Sequence, residues 1–504
     1  MTVPGNARTM QISRRTFSLA TVLALAGGSL GYLPPVPAVA AEIADGGFEV
    51  SHYGVNLRYQ LAPEVLSGTT TILGRATRTL PTFDLHFLLT VSSVSVNNEP
   101  AAFTSKDGIL KVTPKRSIEE GDDLVVVVRY RDNPSDRTGD GSGGWGWKRT
   151  PTGVVSVGSP EWWFPTAFDP ADRATQSVVI VVPKGLQALS NGELPWYGGP
   201  EPAPGGDKWS WTNNVPQAVG VTLLAIGRYE LTTSTGPDGR PFTRAYGADL
   251  GDLRTPARLS VERTPEIVAE LSKWFGPYPF KAYGGLVDST FASVVATATR
   301  PTYTAGVFAG GANSSVVAHE MTHQWYGLQV HTVGPDTQWL SEGFATYAEF
   351  LWSEIEGLGT AAEVAQFSFD RHPADDPVWQ SPPSHPDPES HSAFPIYTRG
   401  ALTLQALRTK VGDDKFFTIL RDWVTRQKTD EAATTAQFVA LAEEISGQDL
   451  DALFQAWIHA AERPATGPNG AFTAQRSAKP KSYEQITANS HLFATTGHHG
   501  QGPK

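Results

Sequence analysis

Four side chains in one stretch could do chemistry together. His319 and His323 lie four positions apart, Glu320 follows the first of them, and Glu342 comes nineteen positions after His323. On a helix, positions i and i+4 share a face, so both imidazoles can reach one ion. Glu320 is rotated toward the substrate side and can take a proton from a water that the ion activates. Two histidines and one carboxylate leave the fourth position of a zinc ion open, which is the catalytic rather than the closed structural arrangement. A bare HExxH also arises by chance on amphipathic helices, where its histidines are polar surface; Glu342 gives this one its weight.

Two helices must hold these groups. The stretch from Asn313 to Gly327 reads as one helix, with Asn313 or Ser314 able to cap its start and Gly327 to end it. A second helix starts near Asp336 and carries Trp339-Leu340-Ser341-Glu342-Gly343-Phe344-Ala345-Thr346-Tyr347, where Gly343 permits a close helix approach. The chain has no cysteine, which excludes disulfides, a thiolate metal site and a cysteine nucleophile.

The rest of the 504 residues suggests more than one domain. Residues 1–40 read as an export signal. Arg14 and Arg15 precede an apolar run from Phe17 to Leu33, and Ala38-Val39-Ala40 gives a small-residue cleavage site, a twin-arginine pattern. The run is short for a bilayer span, so no stable membrane insertion is expected after its removal, and the protein is expected to be secreted or held in the cell envelope. Residues 41–235 alternate short Val-, Thr- and aromatic-rich runs with turn residues, the pattern of an antiparallel β-sandwich. Residues 236–465 form a second, mainly helical domain, and residues 466–504 are polar enough to be expected as a disordered tail. His498 and His499 in that tail read as solvated. Gly139, Gly141 and Gly144 satisfy a GxGxxG spacing without the strand-to-helix context of a nucleotide site. The formal net charge of −11 argues against nucleic-acid binding.

With these residues in place, the sequence resembles the membrane alanyl aminopeptidase family, the gluzincin group of peptidase family M1 that includes leukotriene hydrolase. HEMTHQWYG at 319–327 and WLSEGFATY at 339–347 carry the likeness. Trp163-Phe164-Pro165, the segment from Asp169 to Thr175, and Tyr397-Thr398-Arg399-Gly400-Ala401 add to it. The resemblance runs from about residue 50 to 462. It implies a saddle-like β domain followed by a thermolysin-like α/β catalytic domain, peptide substrates, and one zinc ion held by His319, His323 and Glu342. It also implies that the large helical third domain of longer members is missing. By the same carry-over Glu320 is general base and then general acid, and Tyr397 donates its hydroxyl to the oxyanion.

The pattern departs from the family at one place. Aminopeptidases of this group carry a G-x-M-E-N strand before the zinc helix, whose Glu binds the substrate's free α-amino group. Here the stretch is Ser293-Val294-Val295-Ala296-Thr297-Ala298-Thr299-Arg300-Pro301. Aligned on Thr299-Arg300-Pro301, Ala296 stands where the Glu should be, so Val295 and Ala296 are the expected wall of the substrate site. Ser159 likewise falls where a second acid is often found. Three readings stay open: an aminopeptidase that recruits another acid such as Glu161 or Glu342, an endopeptidase-like hydrolase of blocked or internal bonds, and a binding module that keeps zinc.

Overall fold

The computed structural model describes residues 46–137, 146–167, 173–195, 199–291, 293–387, 392–427, 431–470 and 478–496. The export signal, the GxGxxG glycines, Asp169 to Asp172 and the His498-His499 pair lie outside them.

The first half of the described chain is sheet. Ten strands lie side by side in the order Glu201–Ala203, Gly206–Ala218, Arg173–Val182, Phe48–Leu61, Glu64–Ala76, Asp123–Asp132, Val91–Val96, Glu99–Lys106, Ile109–Thr113, Phe83–His86. All neighbours are antiparallel except Phe48–Leu61 and Arg173–Val182, which run parallel. Arg173–Val182 buries every second side chain, as a strand with one covered face should. A second sheet of four strands includes Val154–Val157 and Leu223–Gly227, which are buried at every position. Both sheets feed one core containing Val126, Val128, Ile180, Trp163, Phe164, Leu224 and Ile226. This is the mostly-sheet N-terminal domain that the strand pattern predicts.

The change of character expected at Gly236 falls inside a hairpin: Tyr229–Thr235 pairs with Pro241–Gly247. That hairpin opens a third sheet, continued by Tyr283–Asp288, Thr302–Thr304 and, at its edge, Val294–Val295. The helical periodicity from Leu253 to Phe275 is carried by two helices, Arg254–Val261 and Thr264–Phe275. Pro265 sits in the first turn of the second, where its missing N–H costs nothing, and Gly276 ends it at a φ of 92°. The helices that follow share a large core with this sheet, centred on Trp325, Trp339, Phe344 and Phe438.

One expectation fails. The segment read as a disordered tail contains a helix, Tyr483–Thr496, against the body of the domain. Its buried stripe is Ser482, Ile486, Asn489, Ser490 and Phe493, at helical spacing. Three of those five side chains are small or polar, so the stripe is hidden from a reading based on apolar periodicity. They dock through hydrogen bonds: the hydroxyls of Ser482 and Ser353 are 2.7 Å apart, and Asn489 donates to Glu349 at 2.7 Å. Among the described residues, no helix is long and apolar enough to cross a membrane.

Candidate active site

The helix carrying the two histidines spans Ser314–Thr322 and is buried at all nine positions. A chance motif on a polar helix surface is therefore excluded. Asn313 caps it, accepting from the Val316 N–H at 3.1 Å. The helix ends earlier than the sequence suggests, with His323 as its C-cap residue rather than inside a helix reaching Gly327. Gly327 then turns the chain at a φ of 117°, and a Cβ there would meet the Ser341 hydroxyl at 2.5 Å. That proximity matters, because Ser341 holds a ligand.

The second helix runs Trp339–Ile355, with Glu342 in its first turn, where the helix dipole favours a carboxylate. Gly343 lies against Gly400: a Cβ on Gly343 would come within 2.8 Å of the Gly400 Cα. The close approach expected of Gly343 is thus to the helix Arg399–Val411, which brings the segment bearing Tyr397 beside Glu342. Tyr397 sits on a π-helical turn, Phe394–Thr398, immediately before that helix. Buried Arg399 pins the junction, donating to the carbonyls of Trp457 at 2.8 Å, Trp379 at 3.1 Å and Ala460 at 2.6 Å.

His319, His323 and Glu342 offer ligand atoms that all lie within 4.8 Å of one another. The Nδ1 atom of each histidine is engaged elsewhere. That of His319 lies 2.9 Å from Glu349 Oε1; that of His323 lies 3.0 Å from the Tyr326 carbonyl and 3.1 Å from the Ser341 hydroxyl. Both Nε2 atoms are thereby turned toward Glu342 Oε2, at 3.2 Å and 3.5 Å. Two ligand atoms each about 2 Å from a zinc ion at a tetrahedral angle would be about 3.3 Å apart. The donor set and its spacing fit zinc, and the outer hydrogen bonds fix each imidazole as such a site requires.

The charges agree. Burial works against protonating His319, but its hydrogen bonds to Glu342 and Glu349 prevail and raise its pKa to about 10. The pocket is thus built to hold positive charge. Burial, reinforced by Glu342 and Glu349 and opposed by His319, lifts the Glu320 carboxyl well above its usual range. Burial likewise raises the Tyr397 phenol well above 10, so it remains a hydrogen-bond donor at neutral pH; Glu342 beside it acts in the same direction. The Tyr397 ring lies 6.3 Å from the His319 ring and nearly parallel to it.

The structure therefore brings together five of the residues singled out in the sequence: His319, Glu320, His323, Glu342 and Tyr397. Val295 is on the short edge strand and Ala296 directly follows it; both are buried. Gln324, next to the second ligand, fastens this wall to the zinc helix, donating to the Thr297 carbonyl at 3.2 Å and accepting from the Thr299 N–H at 2.8 Å. Thr299 is held at a φ of 67°, and the guanidinium of buried Arg300 donates to the carbonyls of Ser190 and Gly192 from the first domain. Glu161 is in the first turn of a short helix, Pro160–Trp162. Glu349, Ser341 and Gln324 were not found from sequence. A signal existed for Glu349, which is seven positions after Glu342 and hence on the same helix face.

Comparison with known proteins agrees with this geometry. The profile of the peptidase family M1 domain matches residues 303–457. Aminopeptidase N of Streptomyces lividans is 24% identical over 324 residues, 58% of this chain and 36% of that protein. Glutamyl aminopeptidase of Bos taurus is 24% identical over 318 residues, 58% of this chain and 32% of its own length. The chain thus spans about a third of the length of these curated relatives. The M1 zinc metallopeptidase of Deinococcus radiodurans superposes with a TM-score of 0.71 at 26% identity, covering 85% of this chain and 97% of that one. A mutant of it bound to a Tyr-Ser-Ala substrate gives a TM-score of 0.68, covering 82% and 94%. Residues 303–457 match the M1 peptidase domain, and most of the chain is similar in fold to a two-domain M1 zinc metallopeptidase. The sheet domain followed by a helical domain matches the two-domain M1 architecture, and His319, His323 and Glu342 form a candidate zinc site.

Proposed function

We propose that this M1 protein is a zinc-dependent metallopeptidase, aminopeptidase-like in chemistry, with altered recognition of the substrate's amino terminus. The observation that carries the first part is the buried convergence of Glu320 and Tyr397 on the three ligands. Zinc bound there would acidify a water and polarise the scissile carbonyl. Glu320, its proton affinity raised by burial, takes the proton that water loses as its oxygen attacks the carbonyl carbon. When the carbon–nitrogen bond breaks, Glu320 returns that proton to the leaving amine. The neutral Tyr397 hydroxyl donates to the oxyanion of the tetrahedral intermediate. Glu349 and Ser341 keep the two imidazoles from rotating.

Ala296 supports the second part. A cationic amine needs a fixed anion in a dry pocket, or its desolvation goes uncompensated. The buried stretch from Ser293 to Pro301 supplies no carboxylate. The same observation favours a second reading, hydrolysis of blocked or internal bonds. The Arg14-Arg15 segment supports export as part of the proposal, checked by whether Arg14→Lys with Arg15→Lys retains the protein in the cytoplasm.

Glu320→Gln removes the proton carrier and leaves the zinc ligands intact. Turnover of a peptide substrate should fall by about 10²- to 10⁴-fold with unchanged zinc content, and chelation should abolish wild-type turnover. Equal turnover by variant and wild type would refute the peptidase reading.

A further inference from the structure

The candidate zinc site is buried, and a helix from the end of the described chain packs against it. His319, Glu320, His323 and Glu342 are each 0% exposed, and Tyr397 is 4% exposed. A peptide bond must come within about 3 Å of Glu320 and Tyr397 to be hydrolysed, so something has to leave first. Phe493, on the helix Tyr483–Thr496, packs directly against two of these side chains. Its ring centroid lies 4.3 Å from that of His319 and 5.9 Å from that of Tyr397, nearly parallel to the latter, and it is wholly buried. It occupies space beside the two groups that would face a bound acyl group.

We propose that helix 483–496 is an autoinhibitory plug, with Phe493 held in a subsite that accepts a large aromatic or aliphatic substrate side chain. This rests on the peptidase reading above. The way the helix is attached suits release. Its fully buried apolar side chains are Ile486 and Phe493, with Leu492, Ala494 and the Tyr483 ring adding partly buried contact, and the centre of its buried stripe is polar. Asn489 bridges Glu349 at 2.7 Å and Asn313 at 2.9 Å, and Ser482 meets Ser353. Such polar contacts are exchanged for water at little net cost when a helix lifts away, unlike a wide apolar interface. Asn489 also explains why the plug sits in register. It binds the oxygen of Glu349 opposite the one that holds His319, so the helix is aligned on the ligand shell itself.

The absence of cysteine allows a reversible test in the full-length, zinc-loaded protein. Ser353→Cys with Ser482→Cys places two thiols where hydroxyls now touch, and oxidation can then tie the start of the helix to the body. Oxidation should slow both zinc release to a chelator and peptide hydrolysis, each about tenfold or more, with reductant restoring both. Phe493→Ala, without the clamp, should raise both rates, and most of all for substrates with a large apolar side chain. Identical oxidised and reduced rates in both measurements would overturn the plug. So would Phe493→Ala lowering hydrolysis with zinc release unchanged, because Phe493 would then be part of the working site. If zinc release responds as expected while no form hydrolyses any peptide, the plug stands and the peptidase reading falls.

Discussion

The two sides of this site are built on opposite plans. On the zinc side every candidate working group is a titratable side chain, and each imidazole is fixed through its Nδ1: His319 by Glu349, His323 by the Tyr326 carbonyl and the Ser341 hydroxyl. On the wall side, from Ser293 to Pro301, the fixing is done through backbone groups. Gln324 binds the backbone of Thr297 and Thr299, Asn191 donates to the Ala298 carbonyl at 2.7 Å, and Arg300 reaches two carbonyls of the sheet domain. The side chains there, Val295 and Ala296, are neutral and small. Both sides are fastened by hydrogen bonds, yet only the zinc side carries carboxylates; the wall's cation, Arg300, is engaged by carbonyls of the sheet domain. On the proposed function, bond-breaking chemistry and recognition of the substrate's amino end fall on different sides, and substitutions on each side should separate them experimentally.

Tyr397→Phe, on the charged side, is expected to have the largest effect of those that remain. It deletes one oxyanion donor without touching a zinc ligand, and kcat should fall by about 10²- to 10³-fold with KM little changed. The sign of the pH dependence follows from burial. The phenol's pKa lies above 10, so the donor form is complete at neutral pH and would be lost only as pH rises past that raised value. Between pH 7 and 10 the variant should thus run parallel to wild type in a log rate profile. An alkaline limb in that range that disappears with Tyr397→Phe would contradict the assignment.

A smaller loss is expected one layer out. Glu349→Gln keeps the shape that supports His319 and Asn489 but removes the charge, and zinc affinity should fall by about 10- to 100-fold. Measured by competition with a chelator, an unchanged affinity would mean that the backbone alone positions His319. The same variant should leave the ratio of free-amine to blocked-substrate turnover untouched, since the wall is fastened elsewhere.

How far the sequence announced this division depends on the type of restraint. The three candidate ligands and Glu320 were legible because zinc chemistry demands particular side chains at set spacings, whereas Tyr397 was legible only through the family resemblance. Gly343 was legible as a close approach, but its partner Gly400 was not, because packing between distant segments leaves no local mark. The two-domain order followed from strand alternation giving way to helices. Helix Tyr483–Thr496 was missed because its buried face is Ser, Asn and Ser as much as Ile and Phe, and hydrogen bonds such as Asn489 to Glu349 have no periodicity signature. The restraints on the wall escaped for a related reason: backbone carbonyls accept from Arg300 whatever residues carry them.

Ala296→Glu tests the neutral side directly and carries the smallest effect. Position 296 is buried, so a carboxylate introduced there loses its water and must find a cation or take up a proton. A substrate's α-ammonium group supplies that cation, and a blocked amine does not. The ratio of kcat/KM for a free-amine aminoacyl substrate to that for its N-acetylated twin should therefore rise by about tenfold, the effect of a single partly compensated charge pair. The absolute rate on the blocked substrate should fall, because the new charge is then buried without a partner. Thermal stability without substrate should fall for the same reason. A loss of stability with no change in the ratio would mean that Ala296 faces the core rather than the substrate. The neutral wall would then have to be sought at Val295, whose Val295→Glu counterpart probes the neighbouring position.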